Sequence, residues 1–368
     1  MPILLPHDFR PMATPEDAVA ELERLHAASV LALREALALF FRSGRVPDAA
    51  TRARFHYPEL RVSYAPHGAT APTRRAFAKF PTAGLYRTTI THPEAFRKYL
   101  LEQLRPLVDE FGAQLDVGTS AQEIPYPYVF ERGDELAMGG SSAAELARHF
   151  PVPLLSEVGD EIADGLWDYH PGKPRPLSLF DAVRVDYSLR RLVHYTGTDW
   201  RDMQPWILLT NYHRYVDQFI AWGLQQIRAN GPYETLILPG GHVIDARMSD
   251  AEAQAVAASA PWHRFQMPAY HVTTADGQGI TLVNIGVGPA NAKNITDHLA
   301  VLRPHCWLMV GHCGGLRESQ KIGDYVLAHA YLREDRILDK AVPTGVPIPA
   351  LAEVQVALQQ AAAAITGE

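Results

Sequence analysis

The sequence predicts an α/β protein with a mixed β-sheet in its carboxyl-terminal part, preceded by an α+β amino-terminal domain. Three observations carry that expectation. Residues 281–317 read as a buried strand over 281–285, a glycine turn over 286–288, a helix opened by Pro289 and closed before Pro304, and a second buried strand over 305–310. That is one β-α-β unit with its two strands ending at the same edge of a parallel sheet. Just ahead of it, strand candidates over 267–274 and 279–285 are joined by Ala275, Asp276, Gly277 and Gln278, a hairpin signal that adds an antiparallel pair. Over 1–199, amphipathic helices and short strands give way to densely spaced prolines, which we read as one α+β domain.

The chain has 368 residues, 47% hydrophobic and 20% charged, enough apolar material for two cores and longer than one ordinary domain. Its net charge of -7 argues against nucleic acid or an anionic membrane as the main partner, because both favour a basic surface. A small molecule fits better. Cys306 and Cys313 are the two cysteines; their spacing matches neither a zinc site nor a disulfide framework and suits a reducing compartment. The amino terminus lacks the basic start and apolar run of a signal peptide, and no stretch of about 18 apolar residues could span a bilayer. A cytoplasmic location is expected.

In chain order, Thr14, Pro15, Glu16 and Asp17 form a capped helix start, with apolar spacing through Val19, Leu22, Leu25, Val30, Leu33 and Leu37 to an end near Gly44. Alternation over 56–64 predicts a strand. Arg61, Arg74, Arg75 and Lys79 make the following loop over 66–81 basic; it reads as a solvated charged loop or an anion site. Thr91, Pro93 and Glu94 predict a second helix running to about Phe111, striped with Phe96, Tyr99, Leu100, Leu104 and Leu107. A short strand over 113–117 follows, and then prolines at 125, 127, 151, 153, 171, 174 and 176 favour extended segments and turns. The histidines of this half (His56, His67, His92, His149, His170, His194) lack metal-ligand spacing.

Residues 200–232 are expected as a connecting strand and helix, in which Asn211, Tyr212, His213, Arg214 and Tyr215 crowd behind a buried strand. This cluster reads either as part of a site or as tyrosines packing between domains beside a surface Arg214–Asp217 pair. The carboxyl-terminal domain is expected over 233–368. It begins with a strand over 233–238 that runs into Pro239, Gly240, Gly241 and His242, followed by a helix around 251–260. Glycine at strand ends lets backbone approach a ligand, and ligands of open α/β sheets bind beyond the carboxyl ends of the strands. A dinucleotide fold is disfavoured: the hairpin interrupts a doubly wound repeat, Asn291 stands where a third glycine would be, and no acidic residue ends the next strand.

The successive runs L-I-L-P-G-G, N-I-G-V-G-P-A-N, V-G-H-C-G-G and I-G-D-Y-V-L resemble the nucleoside phosphorylase fold, a three-layer α/β/α domain with a mixed sheet. Within that fold the chain is most similar to the bacterial AMP nucleosidase family, and T-N-Y-H-R-Y-V-D-Q-F and the amino-terminal domain resemble that family's own extension. The resemblance implies hydrolysis of the N-glycosidic bond of AMP to adenine and ribose 5-phosphate, in purine salvage. Phosphorolytic relatives hold phosphate with two arginines; Met309 and Ile244 stand at the ungapped matches, so a phosphate nucleophile loses its charge partners. That fits water, with His312, where relatives carry serine, orienting or deprotonating it; the alternative is a histidine that only hydrogen-bonds near the turn. The resemblance places Gly240, Gly241, Gly286, Gly288, Cys313, Gly314 and Gly315 around the substrate, with Cys313 as a small apolar wall for adenine.

A 5′-phosphate needs arginine or helix-end donors. Arg264 falls at or beside an arginine that relatives lend to a neighbouring subunit's site, with Asn211, His213 and Arg214 as helpers. Sharing of that kind implies a homo-oligomer, a hexamer in this family. The resemblance also implies no cofactor, ATP and phosphate as effectors, and the amino-terminal domain as their seat. The last family strands, with a ribose-binding glutamate and the aspartate that protonates the leaving base, are expected to lie past Glu368, leaving the sheet incomplete and these residues alone weakly active or inactive. Other readings stay open: a nucleotide-binding regulatory module without turnover, a purine nucleoside phosphorylase and, as the weakest option, a dinucleotide-dependent oxidoreductase.

Overall fold

The computed structural model describes residues 8–66, 77–130, 141–170, 172–332 and 342–366. The chain divides into two compact units, Met1–Arg190 and Arg191–Glu368. Expectations for 67–76, which include Arg74 and Arg75, lie outside the described residues.

The first unit contains β1 (Arg10–Met12), α1 (Pro15–Ser43), α2 (Ala49–Arg52), β2 (His56–Tyr64), β3 (Gly84–Thr89), α3 (Arg97–Asp109), β4 (Gln114–Glu123), α4 (Ala143–His149), β5 (Arg175–Pro176) and most of α5 (Ala182–Thr196). Its sheet has the order β1-β4-β2-β3-β5. The Thr14 hydroxyl accepts from the Asp17 N–H at 3.0 Å, and Gly44 closes α1 at φ 69, a left-handed conformation that suits glycine. One half of α1 buries Val19 and Leu22 against Leu60, Leu104 and Val117; the other buries Leu33, Leu37 and Phe40 against Tyr57, Ile124 and Leu146.

Three expectations for this half are corrected. The second helix begins at Arg97 rather than at Thr91, because the Thr91 hydroxyl is buried and donates to Asp186 Oδ1 at 2.9 Å instead of capping a helix. The strand expected over 113–117 extends to Glu123. The proline-rich stretch holds α4 as well as turns, and α5 follows it.

The second unit contains β6 (Trp206–Thr210), α6 (His213–Arg228), β7 (Tyr233–Leu238), β8 (His242–Asp245), α7 (Asp250–Ser259), β9 (Ala269–Thr274), β10 (Ile280–Asn284), α8 (Pro289–Leu299), β11 (Cys306–Val310), β12 (Ala330–Tyr331), β13 (Ile348–Pro349) and α9 (Ala352–Thr366). The main sheet has the order β11-β6-β10-β9-β7-β8. It is mixed: β6 runs parallel to β10 and β11, while β9 pairs antiparallel with both β10 and β7. The D-G hairpin is β9–β10. Residues 200–232, read from the sequence as a connection, supply β6 to the interior of this sheet and α6 to its face.

Side chains alternate across the sheet. Leu236, Tyr270, Val272 and Leu282 pack with Val216, Phe219 and Ile227 of α6 and Ala253 of α7. His271 points the other way, where its ring nitrogens meet Thr281 Oγ1 at 2.8 Å and Thr198 Oγ1 at 2.9 Å. Ile244, expected in a loop after P-G, is instead fully buried in β8, paired with Leu236. The chain doubles back at once after Gly240 and Gly241, whose φ values of 89 and 75 let it do so.

Candidate functional site

Register fixes where the chemistry can assemble. Thr210 of β6 lies opposite both Asn284 of β10 and Val310 of β11, so three parallel strands end level with one another. The next residues are Asn211 and Tyr212, Ile285 and Gly286, and Gly311 and His312. This is the edge at which open α/β sheets bind ligands. β6 stands between the two glycine-ended strands, so the Asn211–Tyr212 turn is their immediate neighbour. The Pro239–Gly241 turn ends β7, on the far side of β9. β7 runs in the same direction as β10, so Gly240 and Gly241 lie at this same edge, with β9 between β7 and β10.

Each turn is locally determined. The Tyr212 N–H donates to Thr210 Oγ1 at 3.3 Å, and the Ile285 N–H to the Thr210 carbonyl at 2.8 Å, tying β6 to β10 at their ends. The Gly286 N–H donates to Asn284 Oδ1 at 3.1 Å, a side-chain turn that Gly286 completes at φ 66. Gly288 then opens α8 at φ 106 with no side-chain cap, and α6 likewise starts without one. Uncapped helix starts at one edge present backbone N–H groups and the positive end of the helix dipole.

His312 is exposed, with its ring 4.1 Å from that of Tyr212 and 5.4 Å from that of Tyr215. The two tyrosines of the N-Y-H-R-Y run therefore lie against His312. Asn211 Oδ1 is buried with no hydrogen-bond partner among the described residues, and a Cβ added to Gly311 would lie 3.7 Å from it. Asn211 and His312, from different strands, flank one backbone position. Sequence reasoning gave Tyr212 and Tyr215 no definite role; the signal was two aromatics, three positions apart, directly behind a buried strand.

The remaining expected residues are more dispersed. Arg214 and His213 are exposed at the start of α6, where the His213 ring meets that of Trp262 at 4.7 Å. Arg264 is exposed in the short turn Trp262–Arg264. Cys313, Gly314 and Gly315 run on from His312 as an exposed stretch, in which Gln320 Oε1 accepts from the Leu316 and Arg317 N–H groups at 2.8 and 3.0 Å. Among the described residues no group of three or more His, Cys, Asp or Glu could hold a metal ion.

Comparison with known proteins agrees with this architecture. Residues 17–174 match the family described as "Bacterial AMP nucleoside phosphorylase N-terminus", and residues 244–366 match the "Phosphorylase superfamily". The chain is 53% identical over 357 residues to the AMP nucleosidases of Escherichia coli K12 and of Escherichia coli O157:H7, covering 96% of this chain and 73% of each relative. Among solved structures, an AMP nucleosidase from Bacteroides thetaiotaomicron aligns with 24% identity and a TM-score of 0.36, over 50% of this chain and 64% of that one. A Toxoplasma gondii purine nucleoside phosphorylase, solved in complex with immucillin-H, aligns with 19% identity and a TM-score of 0.32, over 46% of this chain and 55% of that one. On the strength of the two Escherichia coli relatives, with both halves matched by family models, the chain belongs to the AMP nucleosidase family.

Proposed function

We propose that this protein hydrolyses the N-glycosidic bond of AMP, giving adenine and ribose 5-phosphate, at the joint carboxyl ends of β6, β10 and β11. The observation that carries this reading is an Asn211 Oδ1 buried without a partner among the described residues, next to a His312 ring set against Tyr212 at that edge, in a chain of this family. In the reaction water bonds to C1′ and gives up a proton, while the C1′–N9 electron pair leaves with adenine, which gains a proton. His312 orients the water and takes its proton. Asn211 Oδ1 accepts a hydrogen bond from a substrate hydroxyl or amine, and the uncapped starts of α6 and α8 receive the 5′-phosphate. Met309 beside this edge is half exposed and uncharged, which favours water over phosphate as nucleophile.

Arg264 is exposed with no ion pair among the described residues, consistent with lending it to a neighbouring subunit in a homo-oligomer, which we take to be a hexamer. A cytoplasmic setting follows from the substrate class; among the described residues no helix is long and apolar enough to cross a membrane. For ATP and phosphate as effectors, the supporting feature is a polar cavity of about 300 Å³ in the first unit, lined by Arg87, Arg175, Thr89, Gln122 and Trp167.

The test is chromatographic. AMP is incubated with this chain and with a form extended to the length of its relatives, and adenine is followed with time. Adenine release, lowered about 10²- to 10⁴-fold by His312→Ala, supports the reading. No adenine from the extended protein, or inosine cleavage that requires phosphate, contradicts it.

A further inference from the structure

We propose that a cavity between α6 and α7 is a second ligand site, taking a neutral, flat nitrogen heterocycle of nucleobase size. The inference does not depend on the chain cleaving AMP. The cavity measures about 430 Å³ and lies against β7 and β9, lined on the α6 side by His213, Val216, Asp217, Ile220, Ala221 and Leu224. That volume is within the range of small-molecule pockets. Helical spacing turns most of its α6 lining away from the strand-end site: residues 216, 217, 220 and 224 share one stripe of α6, whereas Tyr212 and Tyr215 turn toward His312 and His213 stands at the helix start between the two.

Two features point to a ligand. Tyr270 lines the cavity and is only 2% exposed, yet its hydroxyl makes no hydrogen bond among the described residues. Burial, with the Asp217 charge nearby, pushes that hydroxyl well above the usual tyrosine range, so it is a neutral donor. A ligand acceptor in the cavity would give this hydroxyl a directed hydrogen bond. Asp217 and Gln254 supply acceptors, and Trp262, its ring on that of His213, supplies a flat aromatic surface. The remaining lining, Leu238, Ala257 and Ala260 included, is apolar.

This chemistry selects against a phosphate. No arginine or lysine lines the cavity, and Asp217 would repel an anion. A flat apolar ring with an N–H or amino group for Asp217 and a ring nitrogen for Tyr270 uses both of these groups. Adenine is the probe of choice because it carries both.

Adenine is titrated calorimetrically into the full chain, with circular dichroism confirming that each variant is folded. We expect saturable binding, weakened about tenfold or more by Asp217→Asn and by Tyr270→Phe, since each removes one directed hydrogen bond. Binding should persist in Asn211→Ala. Absence of adenine binding, equal affinity in wild type and both cavity variants, or loss of binding in Asn211→Ala alone would overturn the assignment. Failure of AMP cleavage leaves these outcomes untouched.

Discussion

Asn211 Oδ1 is buried with no hydrogen-bond partner among the described residues, and an acceptor left in that state costs about 1–3 kcal/mol. A substrate donor would recover that energy, which is why we propose that Asn211 faces the substrate. A second set of residues carries charge inside the first unit. His92 lies 3.3 Å from Asp186 and 3.4 Å from Glu94 and adopts a left-handed φ of 46, a conformation uncommon outside glycine. Burial alone would lower its pKa, but the hydrogen bonds to Asp186 and Glu94 outweigh burial and raise it to about 9. His26 beside it is lowered to about 4 by burial and by the His92 charge.

The signs of these shifts set a pH window. A raised histidine contributes stability that is complete below about 6.5 and is lost as pH climbs toward 9; a lowered one loses its contribution as pH falls from about 6.5 toward 4. Stability of the first unit should therefore peak between these limbs. The alkaline loss should be on the order of 1–3 kcal/mol. Urea unfolding from pH 6 to 9 checks this: the alkaline slope should vanish in His92→Asn, and an unchanged slope would assign it to other groups.

Helix and strand signals differed in how much they revealed. Helix α1 was legible because cap, first-turn acids, apolar stripe and closing glycine agree along its length. α5 was not, because Pro171, Pro174 and Pro176 dominate the approach to it; the available signal was Asp181, whose Oδ1 accepts from the Arg184 N–H at 2.9 Å. α3 was misplaced at its start because Thr91, a good capping residue, is drawn to Asp186 by a tertiary hydrogen bond that no local pattern reports. α7 has little amphipathic character and depends on its end: the Ser249 hydroxyl accepts from the Glu252 N–H at 3.3 Å, and Glu252 Oε2 accepts from the Ser249 N–H at 2.8 Å. Removing this reciprocal cap with Ser249→Ala should cost about 1 kcal/mol. Chemical denaturation of the folded protein measures it, and α7 amides should exchange faster while α6 amides do not.

For the whole molecule, strand existence was readable from sequence but strand neighbourhood was not. The β10, α8 and β11 elements follow their expected positions closely, and both strands do end at one edge. The sequence assigned the strand over 206–210 to a connecting segment and gave no strand a neighbour beyond the D-G hairpin and the β-α-β unit. Register instead places β6 between β10 and β11 and separates β7 by β9. Long-range pairing of this kind is decided by which strand can bury both faces, and local patterns do not encode it. The consequence is chemical: the N-Y-H-R-Y turn is brought against His312, and we propose it as part of the site. AMP affinity, measured by calorimetry on the full chain, tests that assignment most directly. Asn211→Ala and His312→Ala should each weaken AMP about tenfold or more, with His242→Ala at the β7–β8 turn near wild type. Unchanged affinity in the first two, with loss in His242→Ala, would contradict it.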